Sequence, residues 1–488
     1  MNRVHDDLAS LSRLRQGLAA GDLGRRQFLL GAAALSTTAL LAGCGGIEQS
    51  DGDSGGGGVI PLYTVENDPK SLAFYNMVIA AFQEKHPEAR VEVTVYSDST
   101  QLQHLTTAFR NKVDVGIFSP PVSQFASWAR DGYLAVLDDV VEEIGPDDFM
   151  PGTRIVVDGS DYAIPLQANS HLMYYRKDIL QNAGIAAPET FDDFLAAARE
   201  THGGDGHLGI ALAVGPTPQL PLFSFSPYIF QSGWDYFDRD GNVTFDRPEV
   251  LEAIERFVSM MRFSAQSLYN GEYADIVSAY SSGQATFAPF PGRLGVNLHE
   301  SAPDIADASG VIPIPAGPFM TGGLHFGSGQ QYALYAETEE PDLAKEFLKE
   351  LTVGEHAVEF AMTVPGHLLP PMKSVRQELL GMLSTSADPY VSAHADWIET
   401  FAEHVPAAMT SSVSMGAVHD GSFEEKFTNV CPWAAEIWKS PPIDGVMFQS
   451  ILIDGEPVEQ AWRTAAEEMR AVSDGWKAQN PDWTPEIV

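Results

Sequence analysis

From residue 59 onward, apolar positions recur either at every second residue or at every third to fourth, and the two periods take turns. Residues 59–65 read as a short apolar strand. Leu72, Tyr75, Ile79 and Phe82 then follow at helical spacing until Pro87 stops the helix. Val91, Val93 and Val95 alternate with Glu92, Thr94 and Tyr96, which is strand period. Leu102, Leu105 and Phe109 predict a second helix, residues 113–118 a third strand, and residues 125–129 a third helix. Such alternation builds a sheet with helices on both faces, and ligands of such sheets sit beyond the carboxyl ends of strands. That directs attention to residues 64–68, 97–101 and 118–123. The middle of the chain is less periodic: residues 212–236 are dense in Pro, Gly and aromatics. Helical spacing returns at residues 250–261, at Leu343, Phe347 and Leu351, and at Val458, Trp462, Ala465, Met469 and Val472.

The first 58 residues obey neither period. Gly24-Arg25-Arg26-Gln27-Phe28-Leu29-Leu30 is a twin-arginine pattern, followed by an uncharged segment over residues 28–41. Its 14 residues span about 21 Å as helix, short of the roughly 30 Å of a bilayer core. The segment therefore reads as the apolar part of an export signal, and the arginine pair as a Tat signal. It ends in Leu41-Ala42-Gly43-Cys44, which resembles a bacterial lipobox and implies lipidation of Cys44. Residues 44–58 then read as a flexible Gly/Ser/Asp tether. Gly-Asp-Ser-Gly-Gly at residues 52–56 matches a serine-protease string, but only a signal lies upstream and no strand–helix frame surrounds it.

Charge narrows the partners. The chain has 29 basic and 66 acidic groups. Removing the five arginines and three acids of residues 1–43 leaves 24 and 63, a formal net charge of −39. That field repels nucleic acid and anionic lipid, and it suits solubility at high salt. With Cys44 assigned to lipidation, Cys431 has no pairing partner, and a buried, inert thiol is expected.

Several stretches together resemble family 1 extracellular solute-binding proteins, the maltose-binding-protein type. Asp114-Val115-Gly116-Ile117-Phe118 resembles that family's strand leading to the cleft, and Gly132-Tyr133-Leu134-Ala135-Val136-Leu137-Asp138 the turn after a surface helix. Tyr162-Ala163-Ile164-Pro165 resembles the first inter-lobe crossing, and Leu172-Met173-Tyr174-Tyr175-Arg176-Lys177-Asp178 the strand after it. Gly327-Ser328-Gly329, with the helix beginning Pro341-Asp342-Leu343-Ala344, is similar to the second crossing and its helix. Pro365-Gly366 and Pro370-Pro371 fall where that family turns before the third crossing. Residues 385–455 match poorly and have the look of an insertion.

The resemblance implies an α/β, two-lobed periplasmic-binding-protein fold with three hinge crossings and an interlobe cleft. Its expected parts are a signal over residues 1–43 and a tether over 44–58. Residues 59–165 with 328–380 make lobe 1, and residues 166–327 with 381–488 make lobe 2. It further implies a monomeric, lipid-anchored subunit of an ABC importer on the extracytoplasmic face. That subunit captures a sugar or oligosaccharide between the lobes and hands it to a membrane permease, with no cofactor, no metal and no covalent chemistry. A non-sugar solute such as glycerol phosphate or a polyamine stays open as an alternative. So does an exported glycosidase, which needs two carboxylates facing each other about 5–10 Å apart.

Sugar recognition needs aromatic faces and planar polar groups at lobe edges. By position the candidates are Glu66, Asn67 and Asp68 after the first strand, Ser119 and Ser123 after the third, and Asn169 and His171 at the crossing. Trp234 and Tyr236 stand where the family carries a Gly-Gly turn and suggest an aromatic platform. Phe290 and Arg293 occupy a segment where the family has a cleft aromatic, and Ser328 and Gln330 complete the set. Trp128, Trp397 and Trp462 fall on apolar helical faces and are expected in the core.

Overall fold

The computed structural model describes residues 58–121, 124–217, 220–317, 324–327, 329–409, 414–419, 422–428 and 431–485. The expected signal, lipobox Cys44, the tether up to residue 57, and the candidate residues Ser123 and Ser328 lie outside the described residues. No helix among the described residues is long and apolar enough to cross a membrane.

Two sheets organise the chain. The first is built from β1 (Val59–Thr64), β2 (Arg90–Val95), β3 (Ile117–Phe118), β4 (Ile164–Ala168) and a later strand, β10 (Gly329–Leu334), in the order β2-β1-β3-β10-β4. β1 runs parallel to β2 and β3, while β10 runs antiparallel to β3 and β4. The second comprises β5 (His171–Arg176), β6 (Leu208–Ile210), β7 (Ala285–Pro291) and β8 (Ser309–Ile312), in the order β8-β5-β7-β6. A short strand, β9 (His325–Phe326), pairs in parallel with Ala408–Met409.

Helices cover both sheets. α1 (Pro69–Lys85) starts where the Asp68 carboxylate accepts the N–H groups of Lys70 and Ser71 and Pro69 presets the first turn. It buries Phe74, Tyr75, Val78, Ile79 and Phe82 against the first sheet. α2 (Asp98–Arg110) follows β2. The third strand is shorter than its apolar run. Asp114 Oδ1 takes the Gly116 N–H at 2.8 Å, and Gly116 sits at φ +52°, so residues 113–116 leave the ladder. A Cβ there would lie 2.3 Å from the Pro61 carbonyl oxygen.

The aperiodic stretch around residue 220 is α3 (Leu220–Phe230), in which all eleven residues are buried. A helix enclosed on every side has no polar face, hence no 3.6-residue alternation to read. α4 (Pro248–Met261) packs on α3, and α5 (Arg293–Ser301) follows β7. α6 (Pro341–Val353) covers the first sheet beside α1. α7 (Lys373–Leu383) stays with the first lobe: Lys373 Nζ donates to the Asp147 carbonyl at 2.7 Å, and the Ser374 N–H to Asp148 at 2.9 Å. α8 (Pro389–His404) packs on β8 of the second sheet. Residues 385–455, which matched poorly, hold α8, a hairpin of strands Ser414–His419 and Ser422–Thr428, and α9 (Ile443–Leu452). α10 (Val458–Gln479) closes the second lobe on α9 and α4.

The chain thus passes between lobes three times: at residues 169–170 between β4 and β5, at Gly327 between β9 and β10, and between α7 and α8. Trp128, Trp397 and Trp462 are buried, as is Cys431, whose thiol is pushed up by burial.

Asp444 is a charged group inside the second lobe. Its Oδ2 accepts from Tyr236 Oη at 2.9 Å and Trp438 Nε1 at 3.2 Å, and burial raises its carboxyl to about 6. The folded value lies above the ordinary one, so the native state holds the extra proton. This group therefore takes away stability as pH rises from about 4 to about 6, by about 3 kcal/mol. Asp444→Asn keeps an acceptor for both donors and has no charge to desolvate. Urea denaturation should find the variant gaining on the parent by about that amount between pH 4 and pH 8. An unchanged difference between those pH values would remove the assignment.

Candidate functional site

The site is assembled where strand ends and crossings converge. β1 delivers Glu66 to the cleft, and a hydroxyl triangle sets its backbone. Tyr75 Oη lies 3.2 Å from Thr64 Oγ1 and 2.8 Å from Tyr332 Oη, Tyr332 Oη lies 3.0 Å from Thr64 Oγ1, and the Glu66 N–H donates to Thr64 Oγ1 at 3.1 Å. All three hydroxyl-bearing residues are buried, so Glu66 stands on a rigid base. Asp68 is fixed by capping α1, and its Oδ2 also accepts from Ser71 Oγ at 2.6 Å.

From the other lobe, Arg293 at the start of α5 donates to Glu66 Oε2 at 2.9 Å and places its second terminal nitrogen 3.7 Å from Asp68 Oδ2. Three residues picked singly from sequence as solute contacts are therefore joined to one another across the cleft. Gly292, the residue before, lets the chain pass closely: a Cβ there would lie 2.2 Å from the Gly366 carbonyl oxygen and 2.8 Å from the His367 nitrogen.

The hinge strands supply neutral polar groups. Gln330 opposes Gln167 in register across β10 and β4, which brings the two side chains to one face. Both amide atoms of Gln330 and the Oε1 of Gln167 are buried with no hydrogen-bond partner among the described residues. The same is true of His171 Nδ1 and His367 Nδ1. Burial depresses His171 to about 3, while burial, then Arg293 and His171, hold His367 well below the usual imidazole range. Both rings are neutral and offer one donor and one acceptor each. Buried polar atoms are ordinarily paired, so this cluster is arranged to meet polar groups from elsewhere.

Apolar faces adjoin it. The His171 ring meets Phe223 at 4.6 Å and Phe326 at 4.8 Å, and Phe223 meets Phe290 at 5.7 Å and Tyr273 at 5.1 Å, all edge-on. Asn169 is buried at the first crossing, its carbonyl oxygen facing Gly327. Ser119 is buried at the end of β3, where its carbonyl accepts from Tyr96 Oη at 2.9 Å and from the Gln101 amide. Asn67 is exposed.

One expectation is corrected. Tyr236 is wholly buried, stacked on Phe245 at 5.2 Å and bonded to Asp444, so neither of its faces is open to a solute. Tyr236 is therefore no part of the suggested aromatic platform. Trp234 is half-buried, and the Arg247 guanidinium lies over one face of its ring at 4.6 Å. Sequence reasoning passed over Gln167, Phe223, Phe326 and His367. Gln167 had a signal, because Gln167, Asn169 and His171 fall at every second position of a run that is otherwise apolar but for Ser170. No group of three or more His, Cys, Asp or Glu among the described residues is placed to hold a metal ion.

The family model described as bacterial extracellular solute-binding protein matches residues 67–353. The chain belongs to that family. Among curated members, the arabinooligosaccharide-binding protein of Halalkalibacterium halodurans is 28% identical over 219 residues, 43% of this chain and 47% of that protein. The mannitol-binding protein of Pseudomonas aeruginosa is 24% identical over 279 residues, 53% of this chain and 61% of that protein. The chain thus spans about half to three fifths of the length of these curated relatives. Among solved structures, the GacH receptor of Streptomyces glaucescens superposes with a TM-score of 0.68 at 19% identity, covering 86% of this chain and 99% of that one. A solute-binding protein of Agrobacterium vitis with bound D-mannitol gives a TM-score of 0.66 at 19% identity, covering 88% and 100%. These likenesses carry the fold, a two-lobed periplasmic-binding-protein architecture.

Proposed function

We propose that this solute-binding protein captures a sugar, oligosaccharide or polyol between its lobes and delivers it to an ABC permease. The observation that carries the reading is the cluster of buried, neutral, unpartnered groups on Gln167, Gln330, His171 and His367 beside an aromatic wall. Hydroxyls both donate and accept, and the faces of a sugar ring are apolar, so a polyhydroxylated solute satisfies both kinds of surface. Two relatives are an arabinooligosaccharide-binding and a mannitol-binding protein, which supports the same class. The acids Glu66 and Asp68 already face Arg293, which weighs against a polyamine.

In this reading lobe 1 comprises residues 59–168 and 329–383 and lobe 2 residues 171–327 and 389–488; the boundaries expected at 165/166 and 380/381 move to the ends of β4 and α7, because both elements stay whole in the first lobe. The body works as a monomer on the extracytoplasmic face, held to the membrane by lipid on Cys44, and catalyses no reaction.

A thermal-shift screen of the purified body against mono- and oligosaccharides and polyols tests it. A ligand present at a thousand times its dissociation constant stabilises by about 4 kcal/mol, several degrees in melting temperature. A shift with glycerol phosphate or a polyamine and none with any sugar or polyol would replace the substrate class. Hydrolysis of a chromogenic glycoside would replace the reading altogether.

A further inference from the structure

We propose that Arg293, Glu66 and Asp68 form a latch that holds the two lobes together in the unliganded protein, leaving the solute to the neutral groups of the hinge. The pairing joins the end of β1 in the first lobe to the first residue of α5 in the second, at 2.9 Å and 3.7 Å. Both acids are fixed before the pair forms, Glu66 over the Thr64–Tyr75–Tyr332 triangle and Asp68 as the cap of α1. Only 8% of the Glu66 side chain and 30% of the Arg293 side chain are exposed, so solvent screens the pair weakly.

The placement of Arg293 is informative. It stands at the first position of a helix, where the macrodipole disfavours a cation. Helix stability does not account for it, whereas two carboxylates across the cleft do. One helix face repeats the arrangement two turns on, where Glu300 meets Lys70 of α1 at 3.4 Å. A third contact crosses elsewhere. The Arg130 guanidinium, forked on Asp158 at 2.7 and 3.0 Å, lies 5.4 Å from the centre of the Trp476 ring on α10. All these contacts are made by the protein alone, so closure has a driving force before any solute arrives. In a chain of net charge −37, whose lobes repel each other, that force has an evident task.

The test uses spin labels on the folded body, at Leu102→Cys in the first lobe and Ile453→Cys in the second, both exposed positions. Cys431 is buried and stays in place. With no solute added, the parent is expected to give one short inter-label distance. Arg293→Gln and Glu66→Gln should each move the population about ten-fold toward a longer distance, as a partly buried ion pair warrants. Arg293→Lys should recover most of the short population. Should Arg293→Gln fail to fold, Glu66→Gln carries the same expectation, with its melting curve as the check on folding. A long distance in the parent, or unchanged distances in both glutamine variants, overturns the latch. The latch presumes two lobes that open and close but no particular solute. A sugar screen without a hit, alongside an Arg293-dependent distance, would remove the substrate and keep the latch.

Discussion

Gly292→Ala is expected to destabilise the protein by about 2–3 kcal/mol and to weaken solute binding ten-fold or more. By backbone conformation alone the change should cost little. Gly292 has φ −54° and ψ −22°, ordinary values that alanine adopts freely, and it precedes α5 as its N-cap. An unstrained glycine-to-alanine change gains about 0.4–1 kcal/mol through the unfolded chain, set against the preference for glycine over alanine at an N-cap. The tertiary contact decides the sign. The new methyl carbon would lie 2.2 Å from the Gly366 carbonyl oxygen and 2.3 Å from its carbon, both backbone atoms that cannot rotate away. The turn carrying His367 must shift, and with it one of the neutral groups of the site. Gly381→Ala is the matched control. It lies on the exposed face of α7 with nothing within 4 Å of an added Cβ, and should stabilise by about 0.5–1 kcal/mol. Urea denaturation of the two variants decides the matter, and a Gly292→Ala protein as stable as the Gly381→Ala one would show that the close approach yields without cost.

Acid should loosen the hinge. His171 titrates near 3 in the folded protein, against about 6.5 when unfolded. The unfolded chain therefore binds the extra proton between those values. The stability this group confers is fully present above pH 6.5 and is lost as pH falls toward 3, by about 4–5 kcal/mol in all. Burial is the cause, with no charged neighbour contributing. His325 and His367 lie well below the usual range in the same sense, His325 through burial and then His404 and His171, His367 through burial and then Arg293 and His171. His325 Nε2 and His404 Nδ1 share one hydrogen bond at 3.1 Å, which requires at least one of them neutral. The melting temperature should drop steeply from pH 7 to pH 4.5, and His171→Gln should flatten that drop. A variant whose pH dependence parallels the parent's would show that His171 is not the group that titrates. Asp444 works in the opposite sense over the same range, so the slope is best read as a difference between variant and parent.

The site was legible in part, and the division follows charge and periodicity. Glu66 and Asp68 were visible because strand ends in an α/β sheet point to a cleft, and Arg293 because its segment resembles one that adjoins the cleft in the family. That they meet each other could not be read from positions 227 residues apart for Glu66 and Arg293. His171 and Gln330 were placed by the crossings. Tyr236 misled because a turn rich in aromatics looks alike whether it faces a cleft or a core. Only the acceptor on Asp444, 208 residues away from Tyr236, decides which.

Sequence alone determined the alternation of strand and helix through α1, α2 and the first sheet, the amphipathic helices α4, α6 and α10, and the family. Half-exposed elements leave their period in the residues that face water. It also determined the acidity of the whole, which needs no fold. Tertiary structure decided the rest. It set the length of β3, where a side-chain acceptor and a left-handed glycine displaced ladder bonds. It set the existence of α3, whose complete burial erases any period, and the meaning of Gly292, whose value lies in an atom it does not have. It also set the pairing of Arg293 across the cleft. Each of these depends on contacts between residues far apart in the chain, and local spacing carries no record of them.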